Sequence, residues 1–251
     1  MTKKKVIIIL ISVLVAIIAI ISNFVNPTLN GMDITILGDS IMEGYGNGNN
    51  GFEHYFSGTL FESKINNYAE DSATLSDNNG TNYTVIKDEI NNIKGYPRII
   101  LLDGGANDIM GYNIGTYPYS NQKEIGKVDI QTNDVTAGDT VIHHFEDTIR
   151  ILKEKYPLAK ICYIQMFLID DDTINHITIN ESIKPELRQR RDDLWREIKI
   201  ACQKWNIDYI DVSDKFYETG IKYRQEDWIH INNDGYKYIT PYLLKELDKL
   251  Y

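Results

Sequence analysis

From Asp33 onward the chain alternates short, nearly continuous apolar runs with longer stretches whose apolar positions recur every three to four residues. The short runs predict strands over residues 33–38, 64–69, 98–103, 160–166 and 208–212. The longer period predicts helices over residues 50–62, 83–94, 139–155 and 185–205, with a last helix over 233–250. Gly95-Tyr96-Pro97 and Tyr156-Pro157 each stop a helix just ahead of a strand. Strand followed by helix, five times over, reads as a parallel sheet covered on both faces. Unbroken apolar strands such as Ile99-Ile100-Leu101-Leu102 fit that reading, because such strands are buried on both sides. Open sheets of this kind bind ligands beyond the carboxyl ends of their strands. Ser40, Ser72 and Asn107 all fall there. Two polar stretches, 109–138 and 168–184, are too long for ordinary connections and are expected to overhang the site as loops.

Residues 1–32 differ in kind. Lys3, Lys4 and Lys5 precede an apolar run from Val6 to Ile21 that continues through Phe24 and Val25. About twenty helical residues span one hydrocarbon core. The run therefore divides the chain into a basic tail (1–5), a transmembrane helix acting as signal anchor (6–25), a linker (26–32) and a single domain (33–251). The basic flank places the tail in the cytoplasm and the domain outside the cell membrane. A cleaved signal peptide, which would release the domain, is the competing reading, although no small-x-small site closes the run.

The three lysines are the only charges before residue 33. Residues 33–251 therefore carry 23 of the 26 basic side chains against all 36 acidic ones, net −13. Such a surface repels phosphate backbones, so no nucleic-acid partner is expected, and it argues against a domain lying flat on an acidic bilayer. The two cysteines, Cys162 in a strand and Cys202 in a helix, read as small buried hydrophobes, although spacing alone leaves a disulfide open.

The candidate chemistry lies in four segments. Gly38-Asp39-Ser40 follows the first strand, where a serine would meet the unsatisfied N–H groups of a helix start. A plain Asp/Ser helix cap is the alternative. No G-x-S-x-G elbow is present. His230 lies three residues after Asp227, a spacing that lets a carboxylate hold the imidazole tautomer, so His230 is the candidate base. Asn107, after two glycines at a strand end, offers an uncharged donor for an oxyanion, and a capped glycine turn would look the same. No H-E-x-x-H occurs and no cofactor or metal is expected, with His176, close behind Asp170-Asp171-Asp172, the one weak candidate for metal binding.

Together these segments resemble the SGNH hydrolases, the GDSL esterase/lipase family. Gly38-Asp39-Ser40 resembles the first block, Gly105-Ala106-Asn107-Asp108 the third, and Asp227-Trp228-Ile229-His230 the last. The resemblance implies a three-layer, flavodoxin-like α/β/α fold around a central parallel five-stranded sheet. It implies a Ser40–His230–Asp227 triad and oxyanion donors from the Ser40 N–H, the Ser72 N–H and the Asn107 side chain. The second block departs from the family pattern. Asn67-Tyr68-Ala69-Glu70-Asp71-Ser72-Ala73-Thr74 puts Ser72 where the family has glycine, so the donor survives only if the backbone there suits a side chain. Asp39, Asp108 and Tyr112 are expected to contact substrate.

The expected activity is hydrolysis of carboxylic esters. An exported acidic domain with polar, tyrosine-bearing loops (Tyr112, Tyr117, Tyr119) favours an acylated glycan, with O-acetyl groups removed from a cell-surface or extracellular polysaccharide. The alternatives are a lipase or lysophospholipase, an acyltransferase with the same triad, and a catalytically weakened domain acting as a glycan-binding or assembly module.

Overall fold

Five apolar runs lie side by side as parallel strands: β1 (Asp33–Leu37), β2 (Lys64–Asn67), β3 (Ile99–Leu102), β4 (Lys160–Gln165) and β5 (Asp208–Asp211). Their order is β2-β1-β3-β4-β5, the doubly wound arrangement of flavodoxin-like sheets. The computed structural model describes residues 28–77, 84–110, 122–166, 169–217 and 219–251. The expected membrane anchor, and Tyr112, Tyr117 and Tyr119, lie outside the described residues. No helix among those described is long and apolar enough to cross a membrane.

The period of two in the strands sorts their side chains onto two cores. Ile34, Ile36, Ile99, Leu101, Cys162 and Ile164 face one way, onto α2 (Phe52–Ser57) and α9 (Asn233–Asp248). Leu37, Ile100, Leu102, Ile161 and Tyr163 face the other way, onto α5 (Val141–Lys155) and α7 (Lys184–Lys204). Both faces are covered, which is why the strands read as continuous apolar runs. Cys162 and Cys202 are buried, free thiols in opposite cores, with the sheet between them.

Helix α1 (Ser40–Glu43) follows β1, α3 (Ile86–Glu89) precedes β3, α4 (Ala106–Met110) follows β3, α6 (Asp171–His176) follows β4 and α8 (Asp214–Tyr217) follows β5. Four of these, α1, α4, α6 and α8, are too short for a hydrophobic period to reveal them. The predicted helix over 50–62 shortens to α2, and that over 83–94 to α3 plus a 3-10 turn, Ile90–Asn92. The Asn91-Asn92 pair and Gly95 are poor helix formers that end the second one early.

The stretch 168–184, expected as loop, corrects the sequence reading. Asp170 caps α6 by accepting the Thr173 N–H at 2.8 Å, and Asp171 and Asp172 occupy the first turn, where acids favour a helix start. The acidic triplet is a helix signal. Of the other expected loop, 109–138, Ile109 and Met110 finish α4 and residues 111–121 lie outside the described residues. Residues 122–138 lack regular structure, and Val128 N–H donates to Glu197 Oε2 at 2.9 Å, fixing that stretch to α7.

Leu101 is fully buried in the centre of the sheet, whereas Leu158 stands almost wholly exposed. Leu101→Ala should cost about 2–5 kcal/mol in urea unfolding and Leu158→Ala no more than about 0.5 kcal/mol. Equal losses would contradict this placement of the core.

Candidate active site

Strand β1 ends at Leu37, and Gly38 turns the chain sharply into α1. Its φ is +152°, and a Cβ there would lie 2.9 Å from Met42 Cγ and 3.2 Å from the Asp103 carbonyl. Only glycine lets β1 and β3 end this close together. Asp39 then caps α1, its Oδ1 accepting the Ile41 N–H at 3.0 Å. Ser40 becomes the first residue of the helix, where its N–H has no intrahelical acceptor. The Tyr236 hydroxyl donates to the Ile41 carbonyl and the Gly38 N–H to Glu89 Oε2, so the turn is held from both layers.

The Ser40 Oγ lies 3.0 Å from His230 Nε2, across 190 residues of sequence. His230 Nδ1 lies 2.7 Å from Asp227 Oδ2, and Asp227 Oδ1 accepts the N–H groups of Ile229 and His230, each at 2.9 Å. Burial would raise the Asp227 pKa, but these bonds outweigh it and hold the carboxyl down at about 2. Asp227 is thus a fixed anion at any working pH. The Tyr45 ring sits 4.6 Å from the imidazole, centroid to centroid.

The loop carrying Asp227 and His230 is closed by an Arg224–Ile231 bridge and a bond from Gln225 N–H to the His230 carbonyl at 2.8 Å. Arg224 is buried and forks onto both oxygens of Asp170, and Thr173 Oγ1 donates to the Trp228 carbonyl at 2.9 Å. The chain after β4 therefore clamps the loop on one side. On the other, Asn47 Nδ2 reaches the Ile231 carbonyl at 2.7 Å and Gln225 Nε2 the Tyr45 carbonyl at 2.6 Å. None of these supports has a sequence signature of its own. Trp228 sits in the left-handed region (φ +66°) with its ring stacked 3.8 Å from His176. His176, the weak metal candidate, spends its Nδ1 on the Asp172 carbonyl at 2.7 Å, and no group of three potential ligands occurs among the described residues.

Ser72 adopts φ +68°, the left-handed conformation suited to the glycine it replaces. Its N–H has no acceptor among the described residues. The Asn107 side chain donates to the Ala73 carbonyl at 2.9 Å, which joins the segments of Asn107 and Ser72 and leaves one amide hydrogen for another acceptor. Asn67 serves the scaffold, donating to the Met42 carbonyl at 2.9 Å.

Two expected substrate contacts are corrected. Asp108 is buried and accepts from the N–H groups of Leu75 (2.8 Å) and Ser76 (3.0 Å) and from the Ser76 hydroxyl, so it pins the segment after Ser72. Asp39 is buried beneath Ser40, and its Oδ2 has no hydrogen-bond partner among the described residues. Carboxylates facing inward cannot meet a substrate. Tyr112, the third, lies outside the described residues.

Burial pushes the Asp39 carboxyl up to about 6, and burial together with the Asp39 charge raises Asp103 well above the usual range. The native state therefore holds a proton on Asp39 that the unfolded chain has released above about pH 4. Its contribution to stability is greatest below pH 4 and falls as pH rises to about 6. Asp39→Asn keeps the cap acceptor and removes this titration. The urea midpoint of the variant relative to wild type should therefore rise between pH 4 and 6 and stay level above. A pH-independent difference would refute the assignment.

Residues 36–238 match the GDSL-like lipase/acylhydrolase family, over most of the chain. No curated protein matches the sequence. Among solved structures, the chain is similar to a protein from Lactobacillus plantarum (TM-score 0.66, 17% identity, covering 88% of this chain and 99% of that one). It is also similar to an extracellular lipase from Streptomyces rimosus (0.57, 12%, 85% and 99%) and a psychrotrophic esterase from Pseudoalteromonas (0.54, 12%, 87% and 97%). At these identities the likeness establishes the fold, and the family match over residues 36–238 carries the class of reaction. The chain belongs to the GDSL-like lipase/acylhydrolase family and is a hydrolase of carboxylic esters.

Proposed function

We propose that this protein is a serine esterase acting outside the cytoplasmic membrane, removing short acyl groups, O-acetyl foremost, from a cell-surface or extracellular polysaccharide. The observation that carries the reading is the bond chain from Ser40 Oγ to His230 Nε2 (3.0 Å) and from His230 Nδ1 to Asp227 (2.7 Å). In this reading His230 takes the Ser40 proton as Oγ attacks the ester carbonyl. Asp227 holds the ring and stabilises the imidazolium. The Ser40 and Ser72 N–H groups and the free hydrogen of Asn107 receive the oxyanion. His230 then protonates the departing alcohol, and water, activated by the same ring, releases the acyl group and restores Ser40.

The surroundings favour a polar acceptor over a long acyl chain. Tyr45, Asn49 and Asn50 are exposed on the loop beside His230, and the domain carries a net charge of −13. The lipase reading is supported by the likeness to the extracellular lipase from Streptomyces rimosus. The Pseudoalteromonas esterase is inhibited by monoethylphosphonate, which makes a phosphonate probe a natural reagent for Ser40.

The test uses the full chain, wild type beside Ser40→Ala, with a fluorophosphonate probe and p-nitrophenyl esters from acetate to octanoate. Labelling and turnover should both vanish in the variant, with acetate the preferred ester. Rising activity toward octanoate would replace the glycan reading with the lipase one. A folded wild type that neither labels nor turns over would end the esterase reading. Separately, Asn107→Ala should lower kcat by about 10²–10³-fold. Near-normal turnover would remove Asn107 from the oxyanion hole.

A further inference from the structure

The strands are parallel, so the sheet has one edge of strand carboxyl ends, which carries the site, and one edge of strand amino ends. The second edge is unusually apolar for so acidic a domain. Four of the eight large apolar side chains exposed among the described residues lie there: Phe61 (68% exposed), Tyr96 (87%), Leu158 (95%) and Tyr251 (44%). Phe61 precedes β2, Tyr96 precedes β3 and Leu158 precedes β4, while the Tyr251 hydroxyl donates to the Arg98 carbonyl at 3.3 Å. The row thus crosses the sheet from β2 to β4. A groove of about 490 Å³ opens within it, lined by Tyr96, Arg98, Lys155 and Leu158.

The same edge is locally basic. Lys64, Lys94, Arg98, Lys153, Lys155, Lys160, Lys245 and Lys249 stand against Asp33, Glu62, Glu154, Asp208, Glu246 and Asp248, inside a domain of net charge −13. Lys64–Asp33, Lys160–Asp208 and Lys249–Glu246 pair with one another, which leaves Lys94, Arg98, Lys153, Lys155 and Lys245 against Glu62, Glu154 and Asp248. The chain also enters the domain here. Gly31 N–H donates to the Phe61 carbonyl at 3.0 Å and Phe61 N–H to Asn30 Oδ1 at 2.8 Å, so the apolar run that ends at Val25 precedes a turn beside Phe61.

We propose that, although the net charge of the whole domain opposes contact with an acidic surface, this locally basic edge rests on the interface of an anionic bilayer, with Phe61, Tyr96 and Leu158 in the headgroup–acyl boundary and the surrounding lysines and Arg98 on lipid phosphates. Aromatic and leucine side chains among Lys and Arg are what that boundary accommodates, and long basic side chains extend from an apolar surface to the phosphates. The proposal rests on the membrane-anchored reading above and adds an orientation to it. Strands of four to six residues, at about 3.3 Å each, hold Ser40 and His230 roughly 15–20 Å from the lipid and facing away from it. The substrate class that suits this orientation is a polymer outside the membrane. A lipid of the same bilayer would lie at the wrong end of the sheet.

The test places a single environment-sensitive fluorophore on the full chain reconstituted in phosphatidylglycerol/phosphatidylcholine vesicles. Leu158→Cys and Phe61→Cys report on the proposed face, and Asp172→Cys reports on the site edge. Cys162 and Cys202 are buried and should not label. Circular dichroism checks that each variant folds. Brominated phospholipid should quench the probes at 158 and 61 at least twofold and leave the probe at 172 unchanged. Quenching at 158 by aqueous iodide, as strong as at 172, would overturn the proposal. Shielding from both quenchers would also overturn it, since a protein partner or a second copy would then cover the edge. A chain that fails to float with the vesicles defeats the anchor and this face together. Ester turnover, read in parallel, reports on the Ser40 chemistry independently of both.

Discussion

The geometry of the site depends on holding a loop without regular structure in place beside the end of β1. Arg224 and Asp170, a buried ion pair, clamp it from one side. Each charge would be costly alone in such a place, and the bidentate fork, with Thr173 beside it, satisfies both. Because Asp170 also starts α6, the pair ties the order of the chain after β4 to the position of His230. Burial would raise the Asp170 pKa, but the hydrogen bonds from Arg224 and Thr173 prevail and keep it below the ordinary value.

Beneath the serine the logic is reversed. Asp39, Asp103 and Glu89 are buried around the turns that end β1 and β3, and burial raises all three. A core made for stability alone would place apolar groups there. The Glu89 carboxyl receives the Gly38 N–H, which helps to account for its presence, because a turn this sharp leaves a backbone donor inside the protein with no strand to receive it. The site is thus supported from below by weakly acidic carboxyls and closed from the side by a fully ionised one, Asp227.

Ser72 illustrates how a departure from a family pattern is absorbed. The left-handed backbone is imposed by the segment's other ties, among them the bonds of Asp108 to Leu75 and Ser76 and that of Asn107 to Ala73. A serine in that conformation costs on the order of 1 kcal/mol, which these bonds can offset, and the N–H is unaffected by the side chain. What Ser72 keeps is therefore the left-handed backbone shape (φ +68°), and with it the N–H.

The sequence by itself determined the parallel sheet, the five strands to within a few residues and the family. Each rests on local information: apolar runs, glycine and proline stops, and short blocks whose residue types are the chemistry. It also supplied Ser40, Asn107, Asp227 and His230 as a set. Only the tertiary structure decided which polar groups face inward. Asp39 and Asp108 look like substrate ligands when read as letters beside a motif, yet the direction of a side chain at a strand end depends on how the next segment packs over it. The same holds for the Arg224–Asp170 clamp, whose partners are 54 residues apart and carry no mutual signal. It holds for the row of Phe61, Tyr96 and Leu158, which only the shared direction of parallel strands collects on one edge. Local patterns fix the elements because their causes are local, whereas burial and pairing at the site are set by neighbours distant in the chain.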